Sequence, residues 1–88
     1  MRNIFQSPGF QAELAKFIRK HPELKPNIVK ALKLLRTDIR TPSLGTHKLH
    51  GALSDSYACN INYYYRLVFS FDDNLIYPES IGSHDDVY

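Results

Sequence analysis

Cysteine is almost missing from this chain. Cys59 is the one thiol in 88 residues, so no internal disulfide can form and no pair of thiolates can seat a metal. The fold must hold by packing alone. Nowhere does the chain run through the ~20 consecutive apolar residues that a membrane span needs. Residues Met1 to Gln6 also lack the basic-then-apolar build of a secretory leader. A cytosolic protein with no membrane contact is expected. No repeat, low-complexity tract or Gly/Ser linker divides the sequence, and 88 residues are too few for two cores of ordinary size. Residues 1–88 are therefore expected to form a single domain. Basic charge is scarce in one half only: residues 1–50 hold ten Lys/Arg against three Asp/Glu, and residues 51–88 hold one against six. Those charges either solubilise the surface or give the first half a flank that meets a polyanion.

What is present reads as a short strand, two helices and a meander. Ile4 and Phe5 suggest a strand within Arg2 to Gln6, after which Ser7 suits a helix N-cap and Pro8 the first helical position. Phe10, Leu14, Phe17 and Ile18 recur at helical spacing, and the helix should stop near His21-Pro22. Pro26 opens a second helix whose apolar stripe is Ile28, Leu32, Leu35 and Ile39. Lys30, Lys33, Arg36 and Arg40 share another side of it, each three or four residues from the next. Such repulsion does nothing for folding; the run is a solvated face or a surface for phosphate backbone. Residues 41–55 are loop-like in composition. Tyr57, Cys59, Ile61 and Tyr63 then alternate with small or polar residues, as do Tyr65, Leu67, Phe69 and Phe71, which predicts two neighbouring antiparallel strands with one apolar face. Asp72-Asp73-Asn74 is a turn signal, and Leu75 to Ile81 makes a further strand in which Pro78 implies an edge or a bulge. The expected fold class is α+β, with two N-terminal helices on one face of a small, twisted, mainly antiparallel four-stranded sheet.

Arg66 stands out chemically. It is the sole Lys or Arg in the last 38 positions, and alternation puts it on the sheet face opposite Tyr65, Leu67 and Phe69. A guanidinium there is costly to desolvate without an anionic partner. That partner is either an internal acid, Asp55, Asp85 or Asp86, or an external phosphate, which arginine grips with two parallel bonds. Of the run Tyr63, Tyr64 and Tyr65, at least one ring should face the core and another could line a groove, with packing the expected role for most.

Taken in order, Thr46-His47-Lys48-Leu49-His50-Gly51, Tyr65-Arg66-Leu67-Val68-Phe69, Asp72-Asp73-Asn74 and the closing Ile81-Gly82-Ser83-His84-Asp85-Asp86-Val87-Tyr88 resemble the RelE/ParE superfamily of bacterial toxins from end to end, and within it the YafQ-type mRNA endonucleases. The resemblance implies a ribosome-dependent, metal-independent endoribonuclease that needs no cofactor, because the RNA 2'-hydroxyl is itself the nucleophile. It implies His84 as proton donor to the leaving oxygen, a role that suits an imidazole with an unperturbed pKa of ~6.5. It also implies His47 as base or phosphate ligand, with His50 a possible substitute, Arg66 as stabiliser of the scissile phosphate, and Tyr88 as a ring that stacks on an RNA base. RNA contacts would come from Lys30, Lys33, Arg36, Arg40, Lys48, His50 and Tyr64. Asn60, Tyr64 and Ser80 depart from the family pattern: they stand where YafQ-like enzymes carry a catalytic histidine, an aspartate and an arginine, which leaves the base open. The implied partners are the ribosome, mRNA and a cognate antitoxin; the toxin would be monomeric and join the antitoxin in a hetero-oligomer. Two other readings are a ParE-like gyrase inhibitor that cuts nothing, and a decayed toxin that only binds its antitoxin.

Overall fold

A computed structural model describes residues 1–51 and 55–83 of the chain. Ser7 caps the first helix as its sequence promises: its hydroxyl oxygen accepts the Phe10 N–H at 3.1 Å, and α1 runs over Pro8–Lys20. A single 3-10 turn, Pro22–Leu24, leads into α2 at Lys25–Thr37. The helices lie between β1 (Asn3–Ile4) and a sheet completed by β2 (His47–Lys48), β3 (Tyr57–Asn60), β4 (Tyr65–Phe71) and β5 (Leu75–Ser83). Among the described residues no helix is long and apolar enough to cross a membrane.

The sheet has five strands in the order β1-β5-β4-β3-β2, not the four expected. The added strand is His47–Lys48, which pairs with Ala58 and Tyr57 inside a stretch that reads as loop. Two residues are too few to show a period of two, so no alternation could reveal it. Three pairings are antiparallel, and β1 runs parallel to β5 through Asn3↔Leu75 and Ile4↔Ile76.

Helix α2 also ends earlier than its stripe suggests. Asp38 leaves the helix with extended backbone, its carboxylate accepts the Arg40 N–H at 2.9 Å, and its carbonyl accepts the Thr41 hydroxyl at 2.6 Å. This side-chain competition for backbone donors stops the helix. Ile39 therefore enters the core from a turn, and Arg40 does not lie on the helix with Lys30 and Lys33. Strand β3 is likewise shorter than the alternation through Tyr63, because Asn62 folds the chain over: its Oδ1 accepts the N–H groups of Tyr64 at 3.0 Å and Tyr65 at 2.8 Å.

The main core lies between the helices and one sheet face, where Phe10, Ile28, Ala31 and Leu35 meet Cys59, Leu67, Phe69 and Ile76. A smaller cluster of Leu49, Ala58 and Val68 occupies the other face. Tyr65 joins the helix side, edge-on to Phe17 at 5.1 Å and beside His21 at 4.9 Å. Burial pushes the Cys59 thiol up to about 12, outweighing a backbone hydrogen bond from Leu67 and the charge of Arg66. This cysteine is a core side chain and no nucleophile at neutral pH. Pro78 sits at a bulge, as its missing N–H requires: Phe69 pairs with Pro78 and Val68 with Ser80, leaving Glu79 as the extra residue. The Glu79 carboxylate accepts the Ser56 hydroxyl.

The β4–β5 turn is held by Asp72, whose carboxylate accepts the Tyr77 hydroxyl at 2.8 Å and the N–H groups of Asn74 at 2.8 Å and Leu75 at 2.7 Å. The Tyr77 bond, then those of Asn74 and Leu75, hold the Asp72 carboxyl below the usual carboxylate range; the Tyr77 hydroxyl is raised by the same bond. A carboxyl lowered on folding stabilises above its unfolded pKa of ~3.9, and that stability is lost as pH falls through the folded value. The urea midpoint of the wild type should thus exceed that of Asp72→Ala at pH 6, and the gap should narrow towards pH 2. An unchanged gap would mean the charge is not what holds the turn.

Candidate functional site

Register determines which residues share the helix-free face of the sheet. Asn60, Arg66 and Gly82 form one cross-strand row, and His47, Ala58, Val68 and Ser80 form the next. Directly paired residues point to the same side. His47, Asn60 and Arg66 therefore face one way, with the backbones of His47 and Arg66 about 12 Å apart by strand spacing and rise. Lys48 pairs with Tyr57 and belongs to the other face.

Arg66 is held by backbone carbonyls, and among the described residues no acid pairs with it. Its Nη1 donates to the carbonyls of Asn62 at 3.1 Å, Tyr63 at 3.2 Å and Tyr65 at 3.3 Å. Of the internal acids considered for it, Asp55 is described and is not its partner, and Asp85 and Asp86 lie outside the described residues. The carbonyl dipoles fix the guanidinium plane while its formal charge stays on the face. An arginine so oriented can present its remaining N–H edge to an anion with little entropy to lose.

His47 is oriented by its neighbour. Its Nδ1 lies 3.1 Å from the Gly45 carbonyl oxygen, which only accepts, so the neutral imidazole that keeps this bond carries its lone pair on Nε2. Gly45 has φ 56°, and a Cβ there would come within 2.7 Å of Asn60 Nδ2. Only glycine allows this left-handed turn and the close approach to Asn60 together. Thr46 anchors the same segment through its hydroxyl to the Ile39 carbonyl at 2.7 Å.

The basic residues of α2 do not act as one stripe. Lys30 and Lys33 are exposed. Arg36 instead fastens β1 to the helix: Nε donates to the Arg2 carbonyl at 3.3 Å, Nη2 to Asn3 Oδ1 at 3.5 Å, and the Arg36 carbonyl accepts the Arg2 N–H at 3.1 Å. Lys30 lines a small cleft beside Asn60 and Ile61, close to the site's edge. His50 is exposed just beyond β2, and Tyr64 is exposed at the β3–β4 turn. His84 and Tyr88 lie outside the described residues. Sequence reasoning passed over Gly45, which sets the His47 approach, and Asn62, whose carbonyl helps hold Arg66.

No family model matches the chain, and no curated protein matches it. Solved structures do. E. coli YafQ superposes with TM-score 0.82 at 17% identity, covering 100% of this chain and 99% of that one. A chain of the YoeB-YefM complex from Staphylococcus aureus gives 0.75 at 28% identity, over 96% and 98%. The YoeB/ParE toxin from Agrobacterium tumefaciens gives 0.78 at 9% identity, over 93% and 98%. The fold is that of the RelE/ParE superfamily of toxins. Of the three positions that depart from the expected pattern, Asn60 and Ser80 lie on the helix-free face, opposite Arg66 and Val68, and Tyr64 is exposed in the β3–β4 turn. The face thus offers one guanidinium and one imidazole at described positions, with an amide at Asn60 that can hydrogen-bond but cannot take up a proton at neutral pH.

Proposed function

We propose that this chain is the toxin of a type II toxin–antitoxin pair and cuts mRNA on the ribosome without a metal ion. The observation that carries this reading is Arg66: among the described residues it is the one guanidinium on the helix-free face, gripped by three carbonyls and sharing that face with His47 and Asn60. Its β5 partner is Gly82, two residues before His84 in sequence.

In the reaction, the 2'-hydroxyl attacks the neighbouring phosphorus as His47 takes its proton at Nε2. The new P–O2' bond forms while the P–O5' bond breaks, and His84 protonates the departing 5'-oxygen. The products are a 2',3'-cyclic phosphate and a 5'-hydroxyl. Arg66 lowers the barrier by pairing with the charge that builds on the phosphorane oxygens. Lys30, Lys33 and Lys48 contribute to docking on ribosomal RNA, with Arg40 and His50 at the margins. Tyr88 stacks on an mRNA base. The basic first half suits an acidic antitoxin segment; DinJ-YafQ and YoeB-YefM are toxin–antitoxin complexes of the same fold.

Purified protein added to a translating extract should produce mapped mRNA cuts, and His84→Ala should remove ~99% or more of them, as loss of a general acid does. Growth arrest with intact mRNA would defeat the proposal. A second reading, inhibition of DNA gyrase without cleavage, draws on the ParE-related neighbour from Agrobacterium tumefaciens. It requires toxicity that survives His84→Ala together with DNA-damage signalling. A third, a decayed toxin, requires a folded chain that binds antitoxin and leaves growth unaffected.

A further inference from the structure

The turn between β3 and β4 carries two large rings in water. Tyr63 is 84% exposed and Tyr64 69%, so core packing explains neither. The backbone beneath them is tightly fixed. Asn62 Oδ1 accepts two N–H groups, and the Ile61 N–H bonds the Tyr65 carbonyl at 3.0 Å. Arg66 Nη1 bonds the carbonyls of Asn62 and Tyr63. The rings brace each other edge to face, with centroids 5.2 Å apart and planes at 82°. That arrangement covers one face of one ring and leaves other π-faces to solvent.

We infer that Tyr63 and Tyr64 form a fixed platform on which unpaired bases of the RNA strand stack while a phosphate of that strand meets Arg66. The inference rests on the RNA reading above and adds how the strand is held. Two features favour a nucleic acid over a protein partner. Polar or cationic residues (Asn60, Asn62 and Arg66) stand beside the rings, and among the described residues the turn adds no other exposed large apolar side chain of the kind that makes the core of a protein interface. The guanidinium is bonded to the backbone carbonyl of Tyr63 itself at 3.2 Å, so cation and rings belong to one turn. Stacking needs only a π-face, which every base has, so the platform would hold the strand without choosing its sequence.

The test uses the full chain and a short fluorescein-labelled single-stranded RNA, 2'-O-methylated so that it is not cut, beside an abasic strand of equal length. The double variant Tyr63→Ala/Tyr64→Ala should bind the intact strand at least ~10-fold more weakly than wild type. Both proteins should bind the abasic strand equally, because phosphate contacts are unchanged. Tyr63→Phe/Tyr64→Phe should restore the affinity for the intact strand. An equal deficit on both strands would make the rings mere supports for Arg66 and overturn the platform. So would a double variant with normal RNA affinity, including one that loses antitoxin binding instead, which would assign the rings to a protein contact. If wild type cuts mRNA in extract and the double variant binds and cuts as well as wild type, the platform fails and the nuclease reading stands. If wild type neither binds the strand nor cuts mRNA, both fail.

Discussion

Arg66→Ala should slow mRNA cleavage by roughly 100- to 1000-fold, the usual effect of removing one fixed donor to a developing oxyanion. The size follows from how the side chain is held. A flexible surface arginine loses rotamer freedom whenever it grips a phosphate, whereas the carbonyls of Asn62, Tyr63 and Tyr65 have already fixed this one. Arg66→Lys should recover little, because an ammonium keeps the charge but cannot bond three carbonyls with one edge and a phosphate with the other. The same bonds support the turn, so melting by circular dichroism must accompany the kinetics. The expected result is a folded variant with a small drop in Tm and a large drop in cleavage. Cleavage within a few-fold of wild type would remove Arg66 from the chemistry.

Phe69→Ala should cost about 3–5 kcal/mol, the range for a fully buried phenylalanine. Phe69 has 0% exposure at the centre of β4, paired with Tyr57 on one side and Pro78 on the other. The Tyr57 ring stacks 6.1 Å away and the Phe71 ring lies at 6.2 Å. A domain of this size has roughly 5–15 kcal/mol in all, so the loss approaches the whole. Thermal unfolding should move down by about 12 °C or more, given ~4–8 °C per kcal/mol for small domains. Tyr63→Ala is the matched control, since its exposed ring should leave Tm nearly unchanged. Shifts of equal size in the two variants would contradict the described core.

Much of this fold is legible in the residues, and the misses have physical causes. Ser7-Pro8 marks a helix start because cap and first-turn chemistry are local, and the sheet's apolar face is visible because Leu67, Phe69 and Phe71 sit two apart. Strand β2 escapes because pairing of two residues is decided by β3, not by His47 and Lys48 themselves. The ends of α2 and β3 escape because Asp38 and Asn62 redirect the backbone with side-chain bonds that override periodicity. In the candidate site, Arg66 is legible as the lone basic residue of an acidic half. Arg36 is not, because its partners Arg2 and Asn3 are more than thirty residues away in sequence.

The bulge at Glu79 has a consequence for length. On either side of it the strand keeps one phase: Ile76 and Pro78 pair with Phe71 and Phe69 before it, and Ile81 pairs with Leu67 after it. Had the ladder run on without interruption, Ser80 would be driven inward and Ile81 turned out beside the guanidinium. The protruding residue works as a slack link that takes up a surplus unit of chain. Shortening β5 by one is therefore harmless to phase at this link alone, and the same change between Ile81 and Ser83 would turn Ser83 to the other side of the sheet.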